Sequence, residues 1–203
     1  MKASYKSRPS RQEILQLPVF DGLRRSQVLV LSCQNDVRNA QRIVEGLDCV
    51  GFDTETKPVF EPNQKSDGPH LIQFAHNDGA ILCPATYLPG LDFARSLICS
   101  EDILKVGFGL KSDRGPVKKL LGCPLRMTRE LAIAVQGLGY RQQMGMRVAV
   151  AVVLGRRLQK SKKVQMSNWA AKRLTDRQVL YAANDAYASL KVHQALVAAI
   201  TST

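Results

Sequence analysis

The sequence predicts one α/β domain built on a mixed β-sheet, and three observations carry that prediction. Short apolar runs alternate with helical patterns along most of the chain. Two of the runs are joined by Asn77-Asp78-Gly79, a hairpin signal that puts an antiparallel pair into the sheet. The length of 203 residues favours a single domain, and 45% apolar with 23% charged residues is a globular balance that can bury a sizeable core.

Taken in order, residues 1–25 read as a basic, flexible N-terminal tail and residues 26–203 as the domain. The first positions carry Lys2, Lys6, Arg8 and Arg11 among Ser and Pro9. A transit peptide shares that bias, but Glu13 and Asp21 come early and almost no apolar face accompanies the basic residues. Val28–Leu31 is the first strand. Asn35 or Asp36 caps a helix whose apolar positions Val37, Ala40, Ile43, Val44 and Leu47 follow helical spacing, with Gly46 at its end. Cys49–Phe52 is a buried strand that runs straight into Asp53. Lys57–Pro69, rich in Pro, Gly, Asn and charge, is a loop that shapes access to that strand end. Leu71–Ala75 and Ala80–Cys83 are the hairpin strands. Helical spacing returns over Leu91–Cys99. Ile103–Val106 is a strand ending at Gly107-Phe108-Gly109, and Asp113–Leu121 is a helix with Gly115-Pro116 in its first turn. Leu125–Met127 is a short strand and Glu130–Gln136 a helix. Val148–Leu154 is ambiguous, because its β-branched content favours a strand while its flanks carry no clean turn signal. Arg156–Lys163 is a basic loop, and Thr175-Asp176 caps a long final helix.

Composition narrows the function classes. Lys and Arg number 29 against 17 Asp and Glu, giving a net charge of +12, with a sequence pI near 9.8. That balance points to a polyanionic partner, nucleic acid first and an anionic membrane surface second. No run approaches the roughly 18 apolar residues of a transmembrane helix, so no spanning segment is expected, and with nucleic acid ranked first no membrane partner is expected. The five cysteines are widely spaced and form no CxxC pair, which disfavours zinc sites and a disulfide framework. They read as buried free thiols of a reducing, intracellular compartment, cytoplasmic, or nuclear or organellar in a eukaryote. His70, His76 and His193 are scattered and form no metal pair.

Three local patterns carry chemistry. Asp53-Thr54-Glu55 follows an apolar strand, and side chains two apart on a strand share a face. Two carboxylates that close repel unless a cation neutralises them, and carboxylate oxygens select Mg²⁺ or Mn²⁺ over zinc. Taken alone, such a pair is more often solvated surface charge. Tyr181 and Asp185 are one turn apart on the final helix, on a face otherwise rich in alanine. A core-facing Asp there needs a partner or a metal; the alternative is a solvent-facing Asp beside a core tyrosine. Asp113 follows the Gly107-Phe108-Gly109 turn, where an ordinary helix cap is the plainer reading. That turn lacks the third glycine of a dinucleotide fingerprint.

Taken together, in order and at domain-length spacing, these patterns resemble the DEDD superfamily of 3′–5′ exonucleases, and within it the DEDDy branch of Werner-type and RNase D-type domains. The matching motifs are Phe52-Asp-Thr-Glu-Thr56, Val106-Gly-Phe-Gly-Leu-Lys-Ser-Asp113 and Leu180-Tyr-Ala-Ala-Asn-Asp-Ala-Tyr-Ala188. His70–Phe74 is similar to the family's second strand, and Ser167-Asn168-Trp169 with Leu174–Gln178 to its lead-in to the third motif. The histidine branch would need His where Leu180 stands, whereas the tyrosine branch needs the residue present at 181. The resemblance covers roughly residues 26–197 and implies an RNase H-like fold, a mixed five-stranded sheet flanked by helices, with Val148–Leu154 helical. It implies that two divalent cations, Mg²⁺ or Mn²⁺, are held by Asp53, Glu55, Asp113 and Asp185. Asp53, Glu55 and Asp185 would hold one, Asp53 would bridge to the second, Asp113 would reach the second through water, and Tyr181 would orient the attacking water. One departure stands out. Relatives carry an acid near position 127, and here only Glu130 is available.

The expected activity is hydrolysis of nucleic acid from single-stranded 3′ ends, releasing 5′-mononucleotides, with DNA slightly favoured over RNA. The alternatives are an RNase D-like or short-oligoribonucleotide exoribonuclease, a catalytically inactive nucleic-acid-binding module, and a small-molecule metallophosphodiesterase. Thr56 is expected to contact the terminal nucleotide. Arg156, Arg157, Lys160, Lys162 and Lys163 are expected to hold the strand, unless that run is simply a solvated loop. With aromatic residues at 6%, recognition should be phosphate-based and nearly indifferent to sequence.

Overall fold

The computed structural model describes residues 5–59, 61 and 66–201; residues 1–4 of the expected tail and residues 60 and 62–65 of the expected access loop lie outside the described residues. The sheet has six strands, one more than the resemblance implies. They are β1 (Val28–Val30), β2 (Cys49–Glu55), β3 (Leu71–His76), β4 (Gly79–Pro84), β5 (Leu104–Gly107) and β6 (Thr128–Glu130), in the spatial order β1-β4-β3-β2-β5-β6. β3 runs antiparallel to both β2 and β4, while β1–β4, β2–β5 and β5–β6 are parallel. The sixth strand lies just beyond the expected Leu125–Met127. Leu125 is instead buried in the core and Met127 turns the chain at φ 43°, so pairing with β5 begins at Thr128.

Helices cover both faces. On one face α2 (Gln34–Val44), α3 (Leu88–Cys99) and α4 (Leu110–Leu121) enclose a core that includes Phe52, Phe74 and Phe93, whose ring centroids lie 5.9 and 6.5 Å apart in tilted and edge-to-face contact. On the other lies α8 (Asp176–Thr201), with α5 (Leu131–Gln136), α6 (Met146–Leu154) and the short α7 (Lys162–Gln165) against it. Thr175 caps α8 as its sequence predicts: its hydroxyl accepts from the Gln178 N–H, and the Gln178 side chain accepts from the Thr175 N–H. The alanines of α8 let it approach the sheet closely. A Cβ on Gly51 would lie 2.0 Å from the carbonyl oxygen of Ala186, so glycine is required where helix and strand meet.

Residues 148–154 are helical although valine is frequent there. Val148, Ala149, Val150 and Ala151 are all buried, and Gly155 closes the helix in the left-handed region, so packing overrides propensity.

Residues 5–25 depart from the expected flexible tail. Ser10 and Glu13 form a reciprocal capping box that starts α1 (Arg11–Gln16), Ile14 and Leu23 are buried, and backbone bridges join Lys6 to Tyr140 and Val19 to Arg157. The cysteines also need correction. Cys99, ending α3, and Cys123, just past α4, form a disulfide, while Cys33, Cys49 and Cys83 remain free thiols.

Candidate active site

The site gathers around the C-terminal end of β2. Strand alternation turns Asp53 and Glu55 toward α8, which supplies the buried Asp185. Thr54 points the other way and donates its hydroxyl to Asp113 Oδ1 at 2.8 Å. Asp113 belongs to α4, on the opposite face of the sheet. Acids thus reach one strand end from both layers.

Asp113 is not a helix cap. α4 begins three residues earlier, because Gly109 takes the capping position at φ +76° and Glu130 accepts the Gly109 and Leu110 N–H groups at 3.1 and 2.9 Å. Pro116 consequently lies inside the helix rather than in its first turn. Glu130 also accepts the N–H of Ala132 and caps α5, so the acid that departs from the usual family position anchors two helix ends.

The carboxylates perturb one another. Burial first, then Asp53 and Asp185, push Glu55 up to about 9 against the opposing charge of Lys160. Asp53 is raised by burial and by Asp185, and Asp113 by burial against its hydrogen bond from Thr54. Asp185 is raised by burial, with Lys160 opposing. Beneath them Gln73, paired in register with Asp53, is fully buried with neither side-chain polar atom hydrogen-bonded.

Tyr181 stands one turn before Asp185, its ring 6.0 Å from that of Trp169. Its hydroxyl is buried and without a partner. Burial, then Asp185, Glu55 and Asp53, hold the phenol well above its ordinary range, which favours its protonated form.

Of the expected strand-holding residues, Arg157, Lys160 and Lys163 line a cleft of about 600 Å³ beside Tyr181 and Asp185, whereas Arg156 and Lys162 are exposed on the same segment outside it. Lys160 goes further than expected, with its Nζ 2.7 Å from Asp185 Oδ2. Arg147 and Arg177 complete the basic lining. Arg177 precedes Tyr181 by one helical turn, a spacing that could have identified it; Arg147 carried no such signal. Thr56 lies just past β2, half-buried beside Gly68. A larger cleft of about 830 Å³ runs past β1 and Trp169, but none of the five signature residues lines it.

An all-oxygen donor set of mutually raised carboxylates fits a hard divalent cation. Among the described residues no three acidic, histidine or cysteine side chains are already drawn together as a metal site, and Asp185 is instead engaged by Lys160.

The mixed six-stranded sheet flanked by helices is an RNase H-like fold. The sequence matches the 3′–5′ exonuclease family model over residues 28–201, so the chain belongs to that family, within the DEDD superfamily. It is 31% identical over 163 residues to the mouse (Mus musculus) bifunctional 3′–5′ exonuclease/ATP-dependent helicase WRN, a match covering 77% of this chain and only 11% of that protein. The fold is shared with the Nibbler EXO domain of Aedes aegypti (TM-score 0.73, 20% identity, 88% of this chain and 91% of that one). It is shared also with Trypanosoma brucei RNase D in complex with RNA U12 (TM-score 0.71, 20% identity, 92% and 64%).

Proposed function

We propose that this chain is a metal-dependent 3′–5′ exonuclease that removes 5′-mononucleotides from single-stranded 3′ ends, with DNA slightly favoured over RNA. The observation that carries the proposal is the meeting of Asp53, Glu55, Asp113 and Asp185 with a protonated Tyr181 at the edge of a basic cleft. Asp53, Glu55 and Asp185 would hold one Mg²⁺ or Mn²⁺, and Asp53 with Asp113 a second. Cations bound there supply the positive charge that acidifies a water and neutralises the phosphate and the leaving 3′ oxygen.

The protein's own groups do the rest. Tyr181 donates its hydrogen bond to the attacking water and fixes its line of approach. Thr54 holds Asp113 in place. Arg147, Arg157, Lys163 and Arg177 grip backbone phosphates, which carry no base information. The preference for DNA rests on the motif resemblance to Werner-type exonuclease domains. The shared fold with an RNase D bound to RNA supports the competing RNA reading.

The test is digestion of 5′-labelled single-stranded DNA, duplex DNA and RNA side by side, with Mg²⁺, Mn²⁺ or EDTA. A ladder shortening by single nucleotides, abolished by EDTA and restored by Mg²⁺ or Mn²⁺, is expected. Cleavage of circular single strands would overturn the exonuclease assignment. Faster loss of RNA would overturn the preference for DNA.

A further inference from the structure

Lys160 does not stand where a residue that merely holds the strand would stand. Its Nζ lies 2.7 Å from Asp185 Oδ2, with the lysine side chain 22% and the aspartate side chain 4% exposed. The same ammonium is 5.6 Å from the centroid of the Tyr181 ring. Its charge also opposes the mutual repulsion felt at Asp53 and Glu55, so it acts at the centre of the acidic group rather than at its rim. Among the described residues, none of the other cations lining the cleft has a carboxylate at ion-pairing distance.

The backbone on either side of Lys160 is anchored. The Arg157 N–H donates to the Pro18 carbonyl, the Arg157 carbonyl accepts from the Phe20 N–H, and Leu158 is buried. Ser161 caps α7. The ammonium can therefore leave Asp185 by side-chain rotation alone, on a lysine stem with four rotatable bonds.

Buried carboxylates need a counter-charge, since like charges drawn together out of water repel far more strongly than in bulk solvent. We propose that Lys160 is the internal counter-ion of this site. It pairs with Asp185 until a divalent cation displaces it, and the released ammonium then binds the phosphate of the strand end. The inference rests on the exonuclease reading of the same residues. It makes the metal and the strand bind cooperatively. The cation must break the ion pair, a bound phosphate gives the freed lysine a new partner, and linkage requires each ligand to tighten the other by the same factor.

The experiment is Mn²⁺ titration by calorimetry, with and without an oligonucleotide whose terminal 3′ linkage resists cleavage. Wild-type protein should bind Mn²⁺ more tightly when the oligonucleotide is present. Lys160→Met should bind Mn²⁺ alone about tenfold more tightly than wild type and lose most of the enhancement by oligonucleotide. Its metal-free melting temperature should fall. Lys163→Met, which removes a cleft cation that has no ion pair, should leave Mn²⁺ affinity within about twofold of wild type and weaken only the oligonucleotide. In wild-type protein, the Lys160 ammonium followed by lysine-directed NMR should change environment when Mg²⁺ is added, a readout that needs no variant. If wild type binds no Mn²⁺, the metal site is wrong and the inference falls with it. If wild type binds Mn²⁺ but Lys160→Met binds it no more tightly, or Lys163→Met gains as much, the metal site stands and Lys160 is not its counter-ion.

Discussion

Replacing Tyr181 with phenylalanine removes one oxygen from the site and leaves the ring packed on Trp169. That oxygen is buried and has no hydrogen-bond partner in the metal-free protein. An unsatisfied buried hydroxyl costs about 1–3 kcal/mol. Tyr181→Phe should therefore stabilise the metal-free fold by about 1 kcal/mol, raising the melting temperature by roughly 2–4 °C for a chain of this size. The same change should slow hydrolysis. Losing the hydrogen bond that orients the attacking water raises the barrier by about 1.4–4 kcal/mol, or about ten- to a thousandfold in rate. Metal binding should stay as it was, since no ligand is lost. The assay is single-turnover cleavage of a 5′-labelled strand at saturating Mn²⁺, with a Mn²⁺ titration and a melting curve in EDTA. A wild-type single-turnover rate would refute the role of Tyr181 and leave it as packing. A lower melting temperature would show instead that the hydroxyl already has a partner.

Asp53→Asn should abolish hydrolysis with the fold intact, and a residual rate above about a tenth of wild type would sink the metal assignment. Gly51→Ala should destabilise by about 2–3 kcal/mol, lowering the melting temperature by roughly 5–10 °C, because the new methyl meets the Ala186 carbonyl oxygen of α8; an unchanged melting curve would refute that close contact. The pH dependence follows from the raised carboxylates. Glu55 is pushed from its ordinary 4.5 to about 9, so the metal-free fold retains a proton that the unfolded chain releases. Its contribution to stability is fully present below the ordinary carboxylate range and is lost as pH rises through about 9. Melting temperature in EDTA should fall across that window, while Mn²⁺ affinity should rise across it, since the cation displaces protons; a flat profile in both measurements would contradict the buried acidic group.

The two acid-bearing pairs were legible because each lies within one regular element. Asp53 and Glu55 follow the two-residue period of a strand, and Tyr181 and Asp185 the turn of a helix. Asp113 was not legible in local terms. Its true setting depends on Gly109 taking the cap and on Glu130, far along the chain, accepting the exposed N–H groups; only the family resemblance pointed to it. The charge run at 156–163 could not show which cation turns inward, since that depends on the anchoring of Arg157 and Leu158 by residues remote in sequence. The capping box of Ser10 and Glu13 was present in the sequence, yet the basic composition around it pointed to a tail. Valine content leaves α6 ambiguous in local terms and only the family resemblance points to a helix, because burial against α8 is what decides it. The pairing of Cys99 with Cys123 follows from the ends of α3 and α4 meeting, which no spacing rule encodes.

The placement of Asp113 and Asp185 on opposite layers of the sheet bears on the protein's life before it is fully folded. Neither layer alone brings the acids to the end of β2. A chain with only α4 docked lacks Asp185 and Tyr181, and a chain with only α8 docked lacks Asp113. On the activity proposed above, cleavage competence should therefore wait until both layers have closed, and a chain with only one of them docked should not cleave.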